Sequence, residues 1–347
     1  MNVVNLTEYL KANPFVLAPM AGITDVAFRS FMREMGCGVV VTELVSSNGL
    51  KYASQRTQAL MRFEEAQRPV GIQLFGEVPE NLAEAAKFVQ GTGADFVDLN
   101  FGCPVPKVVK CGGGAAILKD LVQLSHVLRT VKSAIQIPLT IKIRTGWDDT
   151  NRNAGEVARI AYEEGISWVA IHGRTRAQGY SGRADWDYIA EVKANAKLPI
   201  LGNGDIQSAE EANTRMKQTG CDGVLIGRGC LKNPWIFRQA MEIYSNGDEN
   251  GEAVASPFQK EKFEFVFARL HTHLKAHFND RLVMLQLKKF AAWFSTGYPG
   301  AAHFRKQLFQ STTYEQILET IKIYFEALDL TLQTDTRSQP FLMGGHG

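Results

Sequence analysis

The sequence predicts an α/β fold, a (β/α)₈ TIM barrel followed by a small C-terminal helical domain, and three observations carry that expectation. Eight short, apolar, β-rich runs recur along the chain, each followed by a stretch with helical signals. Several runs end in polar residues at alternate positions. Beyond residue 245 the alternation stops, and a polar segment, SNGDENGEAVASP, gives way to purely helical periodicity.

The runs are FVLAPM (15–20), GVVVTELVS (38–46), PVGIQLFG (69–76), ADFVDLNFG (94–102), PLTIKIRTG (138–146), WVAIHGRT (168–175), PILGNGDI (199–206) and GVLIGRG (223–229). Between them, DVAFRSFMREMG closes on a glycine suited to a helix C-terminus, while PENLAEAAKFVQGTG and SAEEANTRMKQTG open on capping or acidic residues. A doubly wound open sheet would want a G-x-G-x-x-G turn after its first strand, and the first run ends instead in APMAG. The active site of such a barrel lies at the C-terminal ends of its strands. The expected organisation is a catalytic barrel over 1–245, a linker over 246–257, a helical domain over 258–332 built from FEFVFARLHTHLKAHF, RLVMLQLKKFAAWFS and YEQILETIKIYFEAL, and a flexible tail over 333–347.

At 347 residues, 45% hydrophobic and 21% charged, the chain can bury a large core. Its first residues lack a basic and apolar leader, and no apolar run approaches the roughly 20 residues that span a bilayer, so a cytoplasmic, membrane-free protein is expected. Cysteines 37, 103, 111, 221 and 230 lack the paired spacing of a metal site, so free thiols and no metal are expected. A net charge of +2 announces no polyanionic partner, and any nucleic-acid surface must come from local clustering.

Alternate side chains of a strand share a face, so in TIKIR the polar Thr140, Lys142 and Arg144 point one way and Ile141 and Ile143 the other. A lysine and an arginine in a barrel mouth require a partner, such as an anionic ligand. Asp98 and Asn100, His172 and Arg174, and Asn203 and Asp205 alternate likewise, and Gln73, Asn100, Lys142, His172 and Asn203 come from successive strands. A polar ring of that kind has little purpose without a ligand. The last two runs end in GNGDI and GRG, where backbone N–H groups with Arg228 and a nearby helix start suit a phosphate. Cys103 follows the fourth run on a loop at the rim, with Cys111 on the same loop as its rival. A thiol with an ordinary pKa near 8.5 stays mostly protonated at neutral pH and can act as a general acid.

The segments APMAGITD (18–25), TELVSSN (42–48), QLFG (73–76), DLNFGCPVPKVVKCGGGAAIL (98–118), TIKIRTGW (140–147), IHGRTR (171–176), GNGDI (202–206) and IGRG (226–229) together resemble the bacterial tRNA-dihydrouridine synthases, most nearly the B-type subgroup. The resemblance spans roughly residues 14–245 and continues more weakly beyond. It implies an enzyme that binds FMN, takes hydride from NADPH and reduces a uridine in the D-loop of tRNA. Pro19, Met20 and Ala21 match the family's flavin-touching segment, and Gln73, Lys142 and His172 match its contacts to the isoalloxazine ring. Asn203, Gly204, Asp205, Gly227 and Arg228 match the ribityl and phosphate end, Cys103 the proton donor, and Asn100 a residue beside the substrate uracil. On that reading hydride from flavin N5 reaches uracil C6, Cys103 protonates C5, and Lys142 stabilises the anionic reduced flavin.

The target base must leave its stack, so the enzyme must grip RNA by shape and backbone. Lys275, Arg281, Lys288, Lys289, Arg305 and Lys306, interleaved with aromatic residues, and Arg144, Arg174 and Arg176 at the rim are the expected RNA contacts. Competing readings are an FMN barrel acting on a small molecule, such as a dihydroorotate dehydrogenase or ene-reductase, an aldolase using Lys142 as a Schiff base, and an RNA-binding protein without turnover.

Overall fold

The computed structural model describes residues 4–52, 54–246 and 262–336. Each of the eight runs forms a strand: β1 Phe15–Leu17, β2 Val40–Val41, β3 Val70–Phe75, β4 Phe96–Phe101, β5 Leu139–Arg144, β6 Val169–His172, β7 Ile200–Asn203 and β8 Gly223–Ile226. They pair in parallel in chain order, and β8 pairs with β1. A parallel bridge between Val16 and Val39 completes the ring, with hydrogen bonds from Leu17 N to Val39 O (3.0 Å) and Gly38 N to Phe15 O (2.8 Å). The second run is interrupted at 42–44 before Val45–Ser46 rejoins β3.

Helices return the chain between strands: α1 Val26–Glu34, α2 Pro79–Gly91, α3 Leu121–Ala134, α4 Ala154–Glu163, α5 Trp186–Asn195, α6 Ala209–Thr219 and α7 Ile236–Asn246. Side-chain caps start several of them, since Asp25 accepts from Phe28 N, Asp120 from Gln123 N, and Ser208, the cap expected from the sequence, from Glu211 N. Gly220, in the left-handed region at φ 67°, ends α6.

The barrel interior changes character along its strands. Toward their starts it holds Val16, Phe96, Trp168, Leu201 and Leu225, closed off by Leu6 and Leu10 of the short helix Leu6–Ala12. Gly71 is needed there, because a Cβ would stand 2.2 Å from the Phe96 ring. Two and four residues further along β4, the same face carries Asp98 and Asn100. The other face of each strand, including Ile141 and Ile143, packs under the helices in the main core.

The C-terminal region forms α8 Lys262–His277, α9 Asp280–Phe294, α10 Ala301–Gln310 and α11 Tyr314–Glu326. Sequence periodicity finds three of these and misses α10, whose N-cap is Gly300 at φ 72° with no side-chain cap. The region does not stand apart, because its core is continuous with that around the barrel. Phe290 stacks on Phe28 of α1 at 4.8 Å, and Arg269 and His273 of α8 reach Glu34 at 2.5 and 2.8 Å.

The expected linker lies outside the described residues except Asn246, which ends α7. The first residues of the expected tail are anchored: Thr334 N donates to Gly297 O (2.9 Å), and Lys232 Nζ donates to the buried Thr336 hydroxyl (2.6 Å). The rest of the tail is outside the described residues. No described helix is long and apolar enough to cross a membrane.

Candidate active site

At the C-terminal ends of the strands a buried polar network begins at Asp98. Its carboxylate accepts from Gln73 Nε2 (2.7 Å) and from the Thr140 hydroxyl (2.6 Å). Burial raises the Asp98 pKa to about 6, against the pull of these hydrogen bonds and of the Lys142 charge. Gln73 Oε1 accepts from Asn100 Nδ2 (2.8 Å). Asn100 Oδ1 in turn accepts from the backbone N–H groups of Gly102 (3.1 Å) and Cys103 (2.8 Å). One amide side chain therefore ties the loop after β4 to the barrel interior.

That loop is held from its other side as well. Cys103 O accepts from Ala115 N (3.1 Å), and Gly114, at φ 57°, lies so close that a Cβ would stand 2.7 Å from Cys103 O. Cys103 sits on the expected rim loop yet is only 9% exposed, whereas Cys111 is exposed. Burial pushes the Cys103 thiol above its ordinary value, partly offset by the charges of Arg144 and Lys142. The thiol is therefore protonated at neutral pH, the state a proton donor needs.

Lys142 shares this interior, directly opposite Asn100 across the β4–β5 ladder. Burial first, then repulsion by Arg144, lowers its pKa to about 8. Among the described residues none hydrogen-bonds its ammonium, which leaves it available to a ligand. His172 lies beyond it and is held neutral, its pKa well below the ordinary value because of burial and the surrounding charges of Lys142, Arg144, Arg174 and Arg228.

The rim arginines are braces. Arg144 donates to Gly102 O (2.8 Å), Thr175 O (2.9 Å) and Gly179 O (2.7 Å), joining the cysteine loop to the loop after β6. Arg174 forms a bidentate pair with Asp205 (2.9 Å to each oxygen) and also donates to Ser181 O and Gly182 O. Both are nearly fully buried, so the expected RNA contacts Arg144 and Arg174 face loop carbonyls and a carboxylate. Arg176 stacks on Trp147 at 4.5 Å, whereas Arg281 on α9 is exposed, as are Lys275 on α8 and Lys306 on α10. Lys288 donates to Ser311 O (2.5 Å) and Lys289 to Gly22 O (2.7 Å).

The segments expected at the cofactor's phosphate end follow the adjacent strands β7 and β8. Asp205 is at φ 56°, and Gly204 at φ 130° could carry no side chain, since a Cβ would be 2.5 Å from Ala184 Cβ. Asn203 Nδ2 donates to Leu225 O (2.9 Å). A Cβ on Gly227 would meet nothing nearer than Ala18 Cβ and Met20 Sδ at 3.6 Å, so packing alone does not demand glycine there. The bare backbone instead leaves a cradle beside Ala18 and Met20 that a side chain would fill. Arg228 lies 5.1 Å from the Tyr180 ring, which Arg144 approaches from the other side at 5.6 Å. Sequence reasoning missed Tyr180, Glu43 and Trp147, because an isolated aromatic or acid on a loop carries no periodic signal.

A mouth with a covered thiol, an unpartnered ammonium, a neutral imidazole and a glycine cradle suits a flat anionic ligand and acid chemistry above it. The sequence profile of the dihydrouridine synthase family matches residues 16–329. The chain belongs to the dihydrouridine synthase family. It is 36% identical over 336 residues to tRNA-dihydrouridine synthase B of Pseudomonas putida, covering 96% of this chain and 98% of that protein. It is 38% identical over 307 residues to tRNA-dihydrouridine synthase B of Pseudomonas aeruginosa, covering 88% and 91% of the two chains. It is 38% identical over 318 residues to a probable tRNA-dihydrouridine synthase of Mycobacterium tuberculosis, covering 88% and 80%. For this family member the match takes in the barrel and most of the helical region together.

Proposed function

We propose that this chain reduces a uridine in the D-loop of cytoplasmic tRNA to dihydrouridine, with FMN held in the barrel mouth, NADPH as reductant and Cys103 as proton donor. The observation that carries the reading is the covered Cys103 thiol, on a loop gripped by Asn100, in the same buried mouth as Lys142. The donor set fits the cofactor: Lys142 and His172 for the electron-rich edge of the ring, Gln73 for its amide-like edge, and Asn203, Gly204, Asp205, Gly227 and Arg228 for the ribityl phosphate. Bound there and reduced by NADPH, FMN would supply the hydride.

The remaining work belongs to the protein. Hydride arrival at C6 of uracil leaves an enolate, and the Cys103 Sγ–H delivers its proton to C5, closing the product ring. Lys142 and Arg144 beside the sulfur stabilise the thiolate left behind, which is then reprotonated from solvent. Asn100 keeps the loop and its thiol at the height of the base. The base enters only after leaving its stack, so the phosphates beside it need fixed contacts. Arg176, Arg281 and the helical region 258–332 supply these, while the barrel over 1–245 holds the cofactor.

The test uses purified protein with FMN, NADPH and unmodified tRNA, read by nuclease mapping and mass spectrometry. NADPH oxidation that depends on tRNA and yields dihydrouridine in a D-loop fragment is expected. Cys103→Ala is expected to keep FMN and tRNA binding while nearly abolishing turnover, and Cys111→Ala to be without effect. A colourless protein that refuses FMN, or NADPH oxidation driven by small enones and indifferent to tRNA, overturns the proposal.

A further inference from the structure

The turn after β1 presents Pro19, Met20 and Ala21 to the mouth, yet little packs against its outer edge. A Cβ at Gly22, φ 72°, would meet nothing within 4 Å. Within the turn, Met20 N donates to the Thr24 hydroxyl (3.0 Å), and Ile23 N and Thr24 N donate back to Met20 O (3.1 and 3.0 Å), while Ile23 anchors its inner side in the core. The exposed backbone at Gly22 is gripped from outside the turn. Its N–H donates to the carboxylate of Glu43, and its carbonyl accepts from Lys289 Nζ at 2.7 Å.

We infer that Glu43 and Lys289 are positioning residues that clamp the two peptide groups flanking Gly22 and so fix the Pro19–Gly22 turn against the flavin, making one ammonium of the helical region part of the cofactor site. This rests on the reading of the mouth as an FMN site. The arrangement matches the electrostatics of the two peptide groups that meet at Gly22: the positive N–H of the one before it meets an anion, and the negative carbonyl of the one after it meets a cation. Charge-assisted bonds of this kind are roughly twice as strong as neutral ones.

Lys289 is itself held in place. Its ammonium lies 5.1 Å from the Trp293 ring and 5.6 Å from that of Phe290, and it faces both Glu43 and Asp25. Asp25 caps α1 and accepts from Gln286 Nε2 of α9 at 3.2 Å. The grip therefore joins residues 267 apart in sequence through a surface that is already packed. Its effect reaches the far end of the cofactor, because Met20 Sδ lies 3.6 Å from where a Gly227 Cβ would stand. A turn that loosens moves the thioether off the glycine cradle.

The test compares the wild-type chain with Lys289→Met, which keeps the stem over the rings and removes the ammonium, and with Lys289→Arg. FMN affinity of the flavin-stripped proteins is read by fluorescence quenching, and hydrogen exchange is read on peptides spanning 18–24. In Lys289→Met the FMN dissociation constant is expected to rise roughly ten-fold, the scale of one lost bond to a charged group, with faster exchange confined to that turn. Lys289→Arg is expected to recover most of both. Wild-type affinity together with unchanged exchange in Lys289→Met overturns the clamp. Should Lys289→Met fail to fold, Glu43→Gln, which retains an acceptor but no charge, is read in the same way, with the same unchanged result overturning the inference. If the wild-type chain takes no FMN, the reading of the mouth falls, while the exchange measurement still decides whether the turn is clamped.

Discussion

Removing the Asn100 side chain tests whether the thiol is positioned rather than merely present. In Asn100→Ala three hydrogen bonds disappear: the donation to Gln73 Oε1 at 2.8 Å and the two acceptances from Gly102 N and Cys103 N at 3.1 and 2.8 Å. A buried group left without a partner costs about 1–3 kcal/mol. The Gln73 oxygen and the Cys103 N–H lie deepest, and water entering at the mouth re-satisfies part of the loss. Destabilisation of about 2–4 kcal/mol follows, read as a lower urea midpoint with unchanged slope. The kinetic effect is separate. The loop keeps its hold at Ala115 and at Arg144, so Cys103 stays near its place but shifts, and misplacement on the order of 1 Å costs about 10²-fold in rate. Single-turnover reduction of tRNA should therefore fall by about that factor with little change in KM, the signature of an interaction that serves the reacting atoms. Asn100→Asp retains an acceptor for both loop N–H groups and should recover much of the rate. An Asn100→Ala enzyme that turns over at the wild-type rate would show that this amide does not set the thiol, and the positional argument fails.

Two further outcomes follow from the same geometry. Lys142 has its pKa depressed to about 8, so its charge is present below that pH and is lost as pH rises through it. FMN affinity should weaken above pH 8, with proton uptake accompanying binding near that pH, and Lys142→Met should flatten both; a pH-independent affinity in the wild-type chain counts against Lys142 as the ring's cationic partner. Gly202→Ala places a Cβ 2.3 Å from the Trp186 ring, which is also the donor to Gly204 O at 3.1 Å. Overpacking on this scale costs roughly 1–3 kcal/mol, so the thermal midpoint should drop, and an unaltered midpoint would mean the α5–β7 contact is looser than described.

The two periodicities of the chain explain how much was legible in advance. Alternation along TIKIR identifies Lys142 as inward and Ile141 and Ile143 as outward, and the structure bears this out because a strand leaves no third direction. The cap at Ser208 is local chemistry and was readable for the same reason. The helix Ala301–Gln310 was not, having a glycine where a capping side chain would announce it.

Sequence by itself determined the order of the strands, the ends at which polar groups gather, and the resemblance that names the family. Tertiary structure alone decided what the long cations do. Arg144 and Arg174 read as free contacts for RNA, and instead they hold loops together; Lys289 read as part of an RNA face, and it reaches back to the turn after the first strand. The reason is physical: side-chain direction repeats every two residues in a strand or every three to four in a helix and is a local property. The partner at the end of a long, flexible stem depends on which distant loop the closed barrel brings within about 3 Å of its tip.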